Sequence, residues 1–380
     1  MAKSKKVVDQ IDEETGELLN AGEVNEYDAA EAKKDLLKKR FSKIKDYREK
    51  ANIKEVEYKP QEWIDMSPAF KEVTRLPGIA VGHMQMVMGK SDVGKTTLLV
   101  EAGANAIMSK KSPVLPILII TEEKFSFDRA ATMGLDPECC LIYAGVSTIE
   151  QGWEIVREHL EALENGTLQK EMGINDVIFL WDSIGATPSK AELENSDENY
   201  KILKKMREEE VKGGKIPKDS TKHGGMMVTA KVLREKFTRD LVHKINKTRH
   251  ASCPYNATML IVNHAYTAPP KAPATISTLE PYGGDAIWLA SSLVFRMGGI
   301  SSRSSNVTAV KDGFEVSFAI KSALVVAKNH ITNVKASGKI ICTDFGFIED
   351  SPSSIENYKK KYKNEWNLQY DKYWNSVSED

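Results

Sequence analysis

The stretch MQMVMGKSDVGKTTLLVEAGANA at residues 84–106 decides the fold of this chain. Within it, Gly89-Lys-Ser-Asp-Val-Gly94-Lys95-Thr96 has the spacing G-x-x-x-x-G-K-[ST] of a phosphate-binding loop, the P-loop. The apolar run before Gly89 predicts a buried strand, and the residues from Thr96 onward predict a helix. Because a turn between a strand and a helix N-terminus presents backbone N–H groups to an anion, the stretch predicts an α/β fold with a nucleotide site.

Single positions of this loop have separate chemical roles. Glycine permits the turn in which backbone N–H groups point inward at phosphates. Lys95 supplies positive charge to the β- and γ-phosphates, and the hydroxyl of Thr96 is expected to ligate Mg²⁺, so ATP and Mg²⁺ are the expected cofactors. The residues predicted to bind the nucleotide are Gly89, Lys90, Ser91, Asp92, Val93, Gly94, Lys95, Thr96 and Thr97.

Polar side chains also follow three other apolar segments. Asp182 fits a carboxylate that orients Mg²⁺, although an Asp at a strand end is also a common helix N-cap. Glu122 and Glu123 lie where a carboxylate can hold the attacking water, and the pair leaves open which of them does so. His264 would either contact the γ-phosphate or be an ordinary structural histidine. Since these positions end predicted strands, we expect them at one edge of a sheet.

The composition bounds the function class. The chain has 380 residues, of which 41% are hydrophobic and 28% charged, with a net charge of −1. This excludes a uniformly basic nucleic-acid coat and an acidic disordered chain, and it allows a sizeable core. Four cysteines lack the spacing of a zinc site. With no apolar leader and no run long enough to span a bilayer, we expect a cytoplasmic protein without a membrane partner.

Apolar segments and helical periodicity alternate from about Ile53 onward. Near-continuous apolar strands joined by crossover helices predict a mostly parallel sheet covered by helices on both faces. The predicted strands are 84–89, 115–120, 176–181, 257–263 and 291–297, with hairpin-like edge strands at 317–329 and 338–347. The predicted helices are 96–109, 148–166 and 230–248.

The regions around this core are more polar. Leu36, Leu37, Phe41 and Ile44 fall on one face of a helix predicted at 25–51, which would pack either on its own core or on a neighbouring subunit. The predicted regions are a polar arm and subunit-docking helix at 1–51, a nucleotide-binding core with long loops at 52–349, and a tail containing a short helix at 350–380.

Two polar segments interrupt the alternation, at 192–227 and 266–284. The first contains a part rich in Lys and Gly, and the second contains four prolines. Loops this long inside a compact domain are usually functional or disordered. We therefore expect both segments to be irregular.

At these motifs the chain resembles the RecA-type recombinases, and most closely their phage UvsX-like branch, over roughly residues 78–347. DVIFLWDSIGATPSKAELE at 176–194 resembles the family's second nucleotide motif and the run that follows it. MGLDPE at 133–138 resembles the turn after the family's catalytic glutamate. Counting back from that turn without gaps places the glutamate at Glu122, with Glu123 as the second choice.

The resemblance also implies roles for later residues. His264 in IVNHAY stands at the family's allosteric sensor, and Lys328 falls in a motif that reaches ATP bound by the neighbouring subunit. In that motif His330 replaces the second cation. Arg129 stands where the family stacks a tyrosine on adenine, and a guanidinium can also stack on a base. The residues expected to contact DNA are Lys231, Arg239, Gly283 and Gly284.

The implied activity is that of a DNA-dependent ATPase whose subunits form a helical filament with ATP at each interface. Single-stranded DNA would lie along the axis, held by the loops at 192–227 and 266–284. Double-stranded DNA would be the homologous partner in strand exchange, for recombination and repair. A mediator and a single-strand-binding protein are candidate further partners, in a bacterial or phage-infected cytoplasm. Binding through the phosphate backbone keeps the bases free for pairing.

Three other classes remain as alternatives. A hexameric helicase shares the core fold and would use an arginine finger, for which Arg296 is the candidate. A RecA-like paralogue would regulate or load another recombinase without exchanging strands. A small-molecule kinase would need a lid that binds the acceptor, and the sequence offers no evident one.

Overall fold

The computed structural model describes residues 26–50, 57–109, 113–211, 225–268, 278–299, 305–311 and 314–361. The chain forms two units, Met1–Glu57 and Tyr58–Asp380. Among the residues of the first unit that the structure describes, α1 (Glu26–Lys50) confirms the helix predicted at 25–51. Three of the residues predicted to share its apolar face, Leu37, Phe41 and Ile44, are exposed in this chain. The polar arm at 1–24 and the side chain of Leu36 lie outside the described residues.

The second unit alternates strands and helices. Its strands are β1 (Trp63–Asp65), β2 (Gly78–Ala80), β3 (Met84–Gly89), β4 (Val114–Ile120), β5 (Leu141–Ala144), β6 (Asp176–Asp182), β7 (Asn256–Ala268), β8 (Thr278–Pro281), β9 (Leu293–Met297), β10 (Ser305–Lys311), β11 (Phe314–Asn329), β12 (Ser337–Thr343) and β13 (Gly346–Glu349). Its helices are α2 (Pro68–Thr74), α3 (Lys95–Ile107), α4 (Phe127–Thr132), α5 (Ile149–Glu164), α6 (Thr167–Met172), α7 (Lys190–Val211), α8 (Gly225–Leu233), a π-helical continuation (Arg234–Leu241), α9 (Val242–Lys247), α10 (Asp285–Ala290) and α11 (Pro352–Lys361).

The large sheet has the strand order β13-β12-β11-β9-β3-β7-β6-β4-β5, with β10 beside β11 and β8 beside β7. The six strands from β9 to β5 are parallel, and the strands beyond β9 pair antiparallel. This confirms the predicted α/β fold with a mostly parallel sheet. The carboxyl ends of β3, β4, β6 and β7 therefore lie together at one edge of the sheet.

Both faces of the sheet are buried under helices. Successive residues of β3 point to opposite faces of the sheet. Val87 packs with α3 on one face, and Met86 packs with α5 and the π-helical segment on the other. On the second face, a Cβ added to Gly152 of α5 would lie 2.2 Å from Cη2 of Trp181, which is fully buried. Glycine is thus required there for the helix to approach the sheet.

The prediction that 192–227 is irregular is wrong for most of its length, because α7 runs from Lys190 to Val211. Its sequence is rich in charged residues, and its few apolar residues do not form the continuous stripe by which helices are usually recognised. Glu, Lys and Leu are nevertheless strong helix formers. Residues 225–227 belong to α8, and the Lys- and Gly-rich part at 212–224 lies outside the described residues.

The segment predicted to be irregular at 266–284 is also partly regular. Strand β7 continues to Ala268, and β8 pairs with it antiparallel, with Tyr266 opposite Glu280. Pro281 is tolerated because it ends an edge strand, where its missing N–H costs no ladder bond. Residues 269–277 lie outside the described part of the chain. We call β7 from Ala265 together with β8 the ribbon.

Two smaller differences concern the end of the chain. The strand predicted at 338–347 is a hairpin, since β12 and β13 pair antiparallel around a turn at Asp344 and Phe345. The short helix predicted in the tail is α11, and residues 362–380 lie outside the described residues. Among the helices of the described ranges, none has the length and apolar character needed to cross a membrane.

Candidate functional site

Most of the residues predicted to bind nucleotide and metal or to act in catalysis meet at the carboxyl edge of the parallel strands. Gly89, the last residue of β3, lies opposite His264 of β7, and Ile120 at the end of β4 lies opposite Asp182. A cavity of about 290 Å³ opens at this edge. It is lined by the predicted residues Ser91, Asp92, Lys95, Thr96, Thr97, Glu122, Arg129, Asp182 and His264, together with Lys124 and Ser126.

The turn between β3 and α3 has the backbone that its glycines predict. Gly94 has φ +94°, and a Cβ there would lie 2.3 Å from Sγ of Cys342. Ser91 and Asp92 are exposed at the tip, whereas Val93 is buried in the core and anchors the loop. The loop is therefore an open cradle with a fixed base.

Lys95 is the first residue of α3 and is only 6% exposed. Its Nζ donates a hydrogen bond of 2.7 Å to the carbonyl oxygen of Lys90, across the loop. Burial lowers the pKa of this ammonium, while the carboxylates of Asp182 and Glu122 partly oppose that shift. A buried cation that is held by a single neutral acceptor is well suited to receive a phosphate charge.

Thr96 and Asp182 are in direct contact, since Oγ1 of Thr96 donates a hydrogen bond of 2.8 Å to Oδ2 of Asp182. Burial raises the pKa of this carboxyl, and the hydrogen bond from Thr96 works against that rise. Within the described residues, no group of three or more His, Cys, Asp or Glu side chains could hold a metal. A hydroxyl and one carboxylate nevertheless fit Mg²⁺, which usually takes one or two protein ligands beside phosphate and water.

Glu122 lies beside this pair and faces the cavity. Its carboxylate accepts hydrogen bonds from Oγ of Ser183 and, at 2.7 Å, from Nε2 of His264. The hydrogen bond from His264 is the main reason why the pKa of Glu122 is lowered to about 2. Glu123 is exposed and does not line the cavity. Of the two glutamates, Glu122 is therefore the one that is held, charged, at the candidate site.

Arg129 of α4 lines the cavity and contacts α3. Its Nη2 donates hydrogen bonds to Oγ1 of Thr97 at 3.0 Å and to the carbonyl oxygen of Thr343 at 3.3 Å. Its Nε lies 3.2 Å from Oδ1 of Asp344. The β12–β13 turn thus fixes the guanidinium at the cavity wall.

Sequence reasoning missed two of these partners. Ser183 stands inside the motif that follows β6, next to Asp182, and its position was the available signal. Asp344 lies more than 200 residues after Arg129, and no local pattern marks it. Only the pairing of the antiparallel strands brings it to the cavity.

Lys328 does not lie at this cavity. It sits opposite Val294, which is itself opposite Met86, three residues before the end of β3. Its Nζ donates hydrogen bonds to the carbonyl oxygens of Trp288, at 2.7 Å, and Leu289, at the C-terminus of α10. His330, which follows it, is exposed.

The predicted DNA-contacting residues lie apart from the cavity, near the ribbon. Lys231 of α8 and Arg239 of the π-helical segment are exposed. Gly283 and Gly284 have φ +77° and +73° in the turn between β8 and α10. A Cβ on Gly283 would lie 2.3 Å from Cδ1 of Leu233, whereas Gly284 faces open space. Packing alone therefore explains Gly283, but not Gly284.

A larger cleft of about 700 Å³ lies at the opposite, amino-terminal edge of the sheet. Its charged lining residues are all acidic: Glu62, Asp65, Glu101 and Asp176. A lining of carboxylates repels phosphates, so size does not make this cleft the nucleotide site.

No protein-family model matches this chain, and no curated protein matches it significantly. The candidate site therefore stands on the motif and on the geometry described above.

Proposed function

We propose that this chain is a RecA-type P-loop ATPase that hydrolyses ATP with Mg²⁺. The observation that carries the proposal is the hydrogen bond between Thr96 and Asp182, in one cavity with the buried Lys95. A hydroxyl from the P-loop helix and a carboxylate from a neighbouring strand end are the pair by which P-loop ATPases hold their metal. Thr96 and Asp182 would hold Mg²⁺, which when bound neutralises charge on the β- and γ-phosphates.

The remaining residues have separate tasks in this proposal. Lys95 exchanges the neutral carbonyl of Lys90 for phosphate oxygens, which gives a charge-assisted hydrogen bond. Glu122 has a low pKa and is ionised at neutral pH. Its carboxylate accepts a hydrogen bond from the attacking water and so orients that water. His264 holds that carboxylate in place. Arg129 offers a planar cation to the base.

We further propose that the ATPase acts as a recombinase that forms helical filaments on single-stranded DNA and pairs it with homologous duplex. The exposed cations Lys231 and Arg239 support this, because backbone binding needs positive groups at the surface. The exposed apolar side chains of α1 support docking on a second subunit, since a helix face of this kind is rarely left in water.

The position of Lys328 supports action on a neighbouring subunit rather than on its own. Three residues along a strand are about 10 Å, so Lys328 is well removed from the end of β3, where its own P-loop begins. Its amine is engaged at the C-terminus of α10, where a cation is favourable. Contact with a neighbour's phosphates would compete with that bond.

The test is electron microscopy of the protein with a slowly hydrolysed ATP analogue and single-stranded DNA. Helical filaments are the expected result. Closed rings would favour the helicase reading, and dispersed protein that still binds DNA would favour the regulatory paralogue. Protein that binds neither nucleotide nor DNA would refute both parts of the proposal.

Deletion of residues 1–51 separates assembly from nucleotide binding. The truncated chain should bind a fluorescent ATP analogue as the full chain does, because the cavity is built entirely from Tyr58–Asp380. Its filaments should be absent. Filaments that persist without residues 1–51 would contradict a docking role for α1.

A further inference from the structure

Two large aromatic side chains, one in the ribbon and one in the turn that follows it, are exposed next to each other. Tyr266 of β7 is 41% exposed, and Tyr282, in the turn after β8, is 43% exposed. Their ring centroids lie 5.4 Å apart at an interplanar angle of 67°. The hydroxyl of Tyr266 donates a long hydrogen bond of 3.4 Å to Glu280. The pair is therefore held in a defined geometry while its ring surface remains accessible.

Unpaired positive charge lies on the neighbouring helix. Gly283 packs directly against Leu233, so the turn that contains Tyr282 touches the C-terminal end of α8. Lys231 and Arg234, on either side of Leu233, are exposed. Neither side chain has a hydrogen bond or ion pair with any residue that the structure describes. Aromatic faces beside free cations are the combination that binds single-stranded nucleic acid.

The aromatic pair is also connected to the candidate catalytic carboxylate. The backbone N–H of Tyr282 donates to the carbonyl oxygen of His264 at 2.9 Å, and Nδ2 of Asn263 donates to the carbonyl oxygen of Tyr282 at 3.1 Å. The rings of His264 and Tyr282 meet edge to face at 6.5 Å. His264 in turn holds Glu122. A ligand that displaces Tyr282 would therefore also displace His264, which holds the carboxylate of Glu122 at the candidate ATP site.

We propose that Tyr266 and Tyr282 form a platform on which bases of single-stranded DNA stack, while Lys231 and Arg234 hold the adjoining phosphates. This inference rests on the proposed function, since it specifies how the same DNA is held. Glu280 does not oppose it: its carboxylate contacts the hydroxyl of Tyr266, whereas stacking uses the ring faces. Every base has a π-face, so the platform is indifferent to sequence.

The decisive probe removes the bases and keeps the phosphates. Binding of a labelled mixed-sequence single strand is compared with binding of an abasic strand of equal length, with ATP analogue and at fixed salt. The full chain should prefer the base-containing strand. Tyr266→Ala and Tyr282→Ala should each weaken binding of that strand by about five- to 150-fold and change binding of the abasic strand little.

Matched variants identify the interaction. Tyr282→Phe keeps the ring and should bind like the unaltered chain. Tyr58→Ala removes a tyrosine that is 58% exposed and remote from the ribbon, and it should have no effect. Joint replacement of Lys231 and Arg234 by Ala should weaken binding of both strands equally and should make binding less dependent on salt concentration. Circular dichroism and ATP-analogue binding confirm that each variant is folded.

The outcomes separate the two levels of the proposal. A full chain that binds ATP analogue but neither strand refutes the recombinase function and the platform together. Equal binding of both strands by the full chain, or unchanged binding by both alanine variants, overturns the platform alone. Sedimentation without DNA measures self-association of the alanine variants. Variants that keep the preference for the base-containing strand but no longer self-associate would show that the tyrosine pair is a subunit contact, and this result also overturns the platform.

Discussion

Replacing Glu122 by Gln tests the candidate catalytic centre most directly. The side chain keeps its size and can still accept the hydrogen bond from Nε2 of His264, which is 2.7 Å long. What it loses is the negative charge that the low pKa, about 2, maintains at neutral pH. A neutral amide cannot take a proton from water, so the substitution removes the proposed general base and little else.

The expected effect has two parts of different size. Loss of a general base costs about 10²- to 10⁴-fold in kcat, or about 2.7–5.5 kcal/mol in the barrier. Binding of ATP should be unchanged or tighter, because a negative charge beside the phosphates has been removed. Steady-state ATPase assays with and without single-stranded DNA give kcat, and equilibrium binding of a fluorescent ATP analogue gives the affinity. ATP-bound filaments should accumulate.

Glu123→Gln is the matched control. Glu123 is exposed and outside the cavity, so its replacement should leave kcat within about twofold, as for most surface changes. A large loss of kcat in Glu123→Gln with normal activity in Glu122→Gln would refute the assignment of the base. A large loss of ATP affinity in Glu122→Gln would show that Glu122 binds nucleotide or supports the fold instead.

Three further predictions follow from single contacts. Lys95→Ala should abolish hydrolysis and weaken ATP binding roughly 10- to 100-fold, since a charged hydrogen bond is worth about 1.5–3 kcal/mol; near-normal turnover would exclude Lys95 from the site. Gly152→Ala places Cβ 2.2 Å from the buried Trp181, so urea unfolding should show a loss of about 1–3 kcal/mol, and an unchanged midpoint would contradict this packing. Burial, assisted by the charge of Arg249, lowers the pKa of His83 from 6.5 to about 4. Between about pH 4 and 6.5, His83 is therefore neutral in the folded chain and protonated in the unfolded chain. The stability due to neutral His83 is therefore complete above pH 6.5 and falls, by up to about 3 kcal/mol, as the pH drops towards 4; His83→Gln should flatten that dependence in urea unfolding measured across the window.

Much of the architecture was predictable, because it depends on local patterns. Apolar runs of strand length with intervening helical periodicity predicted five of the six parallel strands, and the structure confirms them. The short edge strand β5 (Leu141–Ala144) was missed. Helix α7 was missed because recognition relied on an apolar stripe, which a polar helix does not have. The ribbon was missed because prolines mark irregular segments, yet an edge strand can tolerate them.

The candidate site divides in the same way. The sequence by itself determined the glycine-containing turn between β3 and α3 and the polar residues at the strand ends, because the identity and spacing of neighbours dictate backbone conformation there. The tertiary structure decided which glutamate faces the cavity, which residue pairs with Arg129, and that Lys328 lies away from the cavity. Those outcomes depend on burial and on strands that are distant in sequence. No local pattern contains them, since each follows from the packing of the whole sheet.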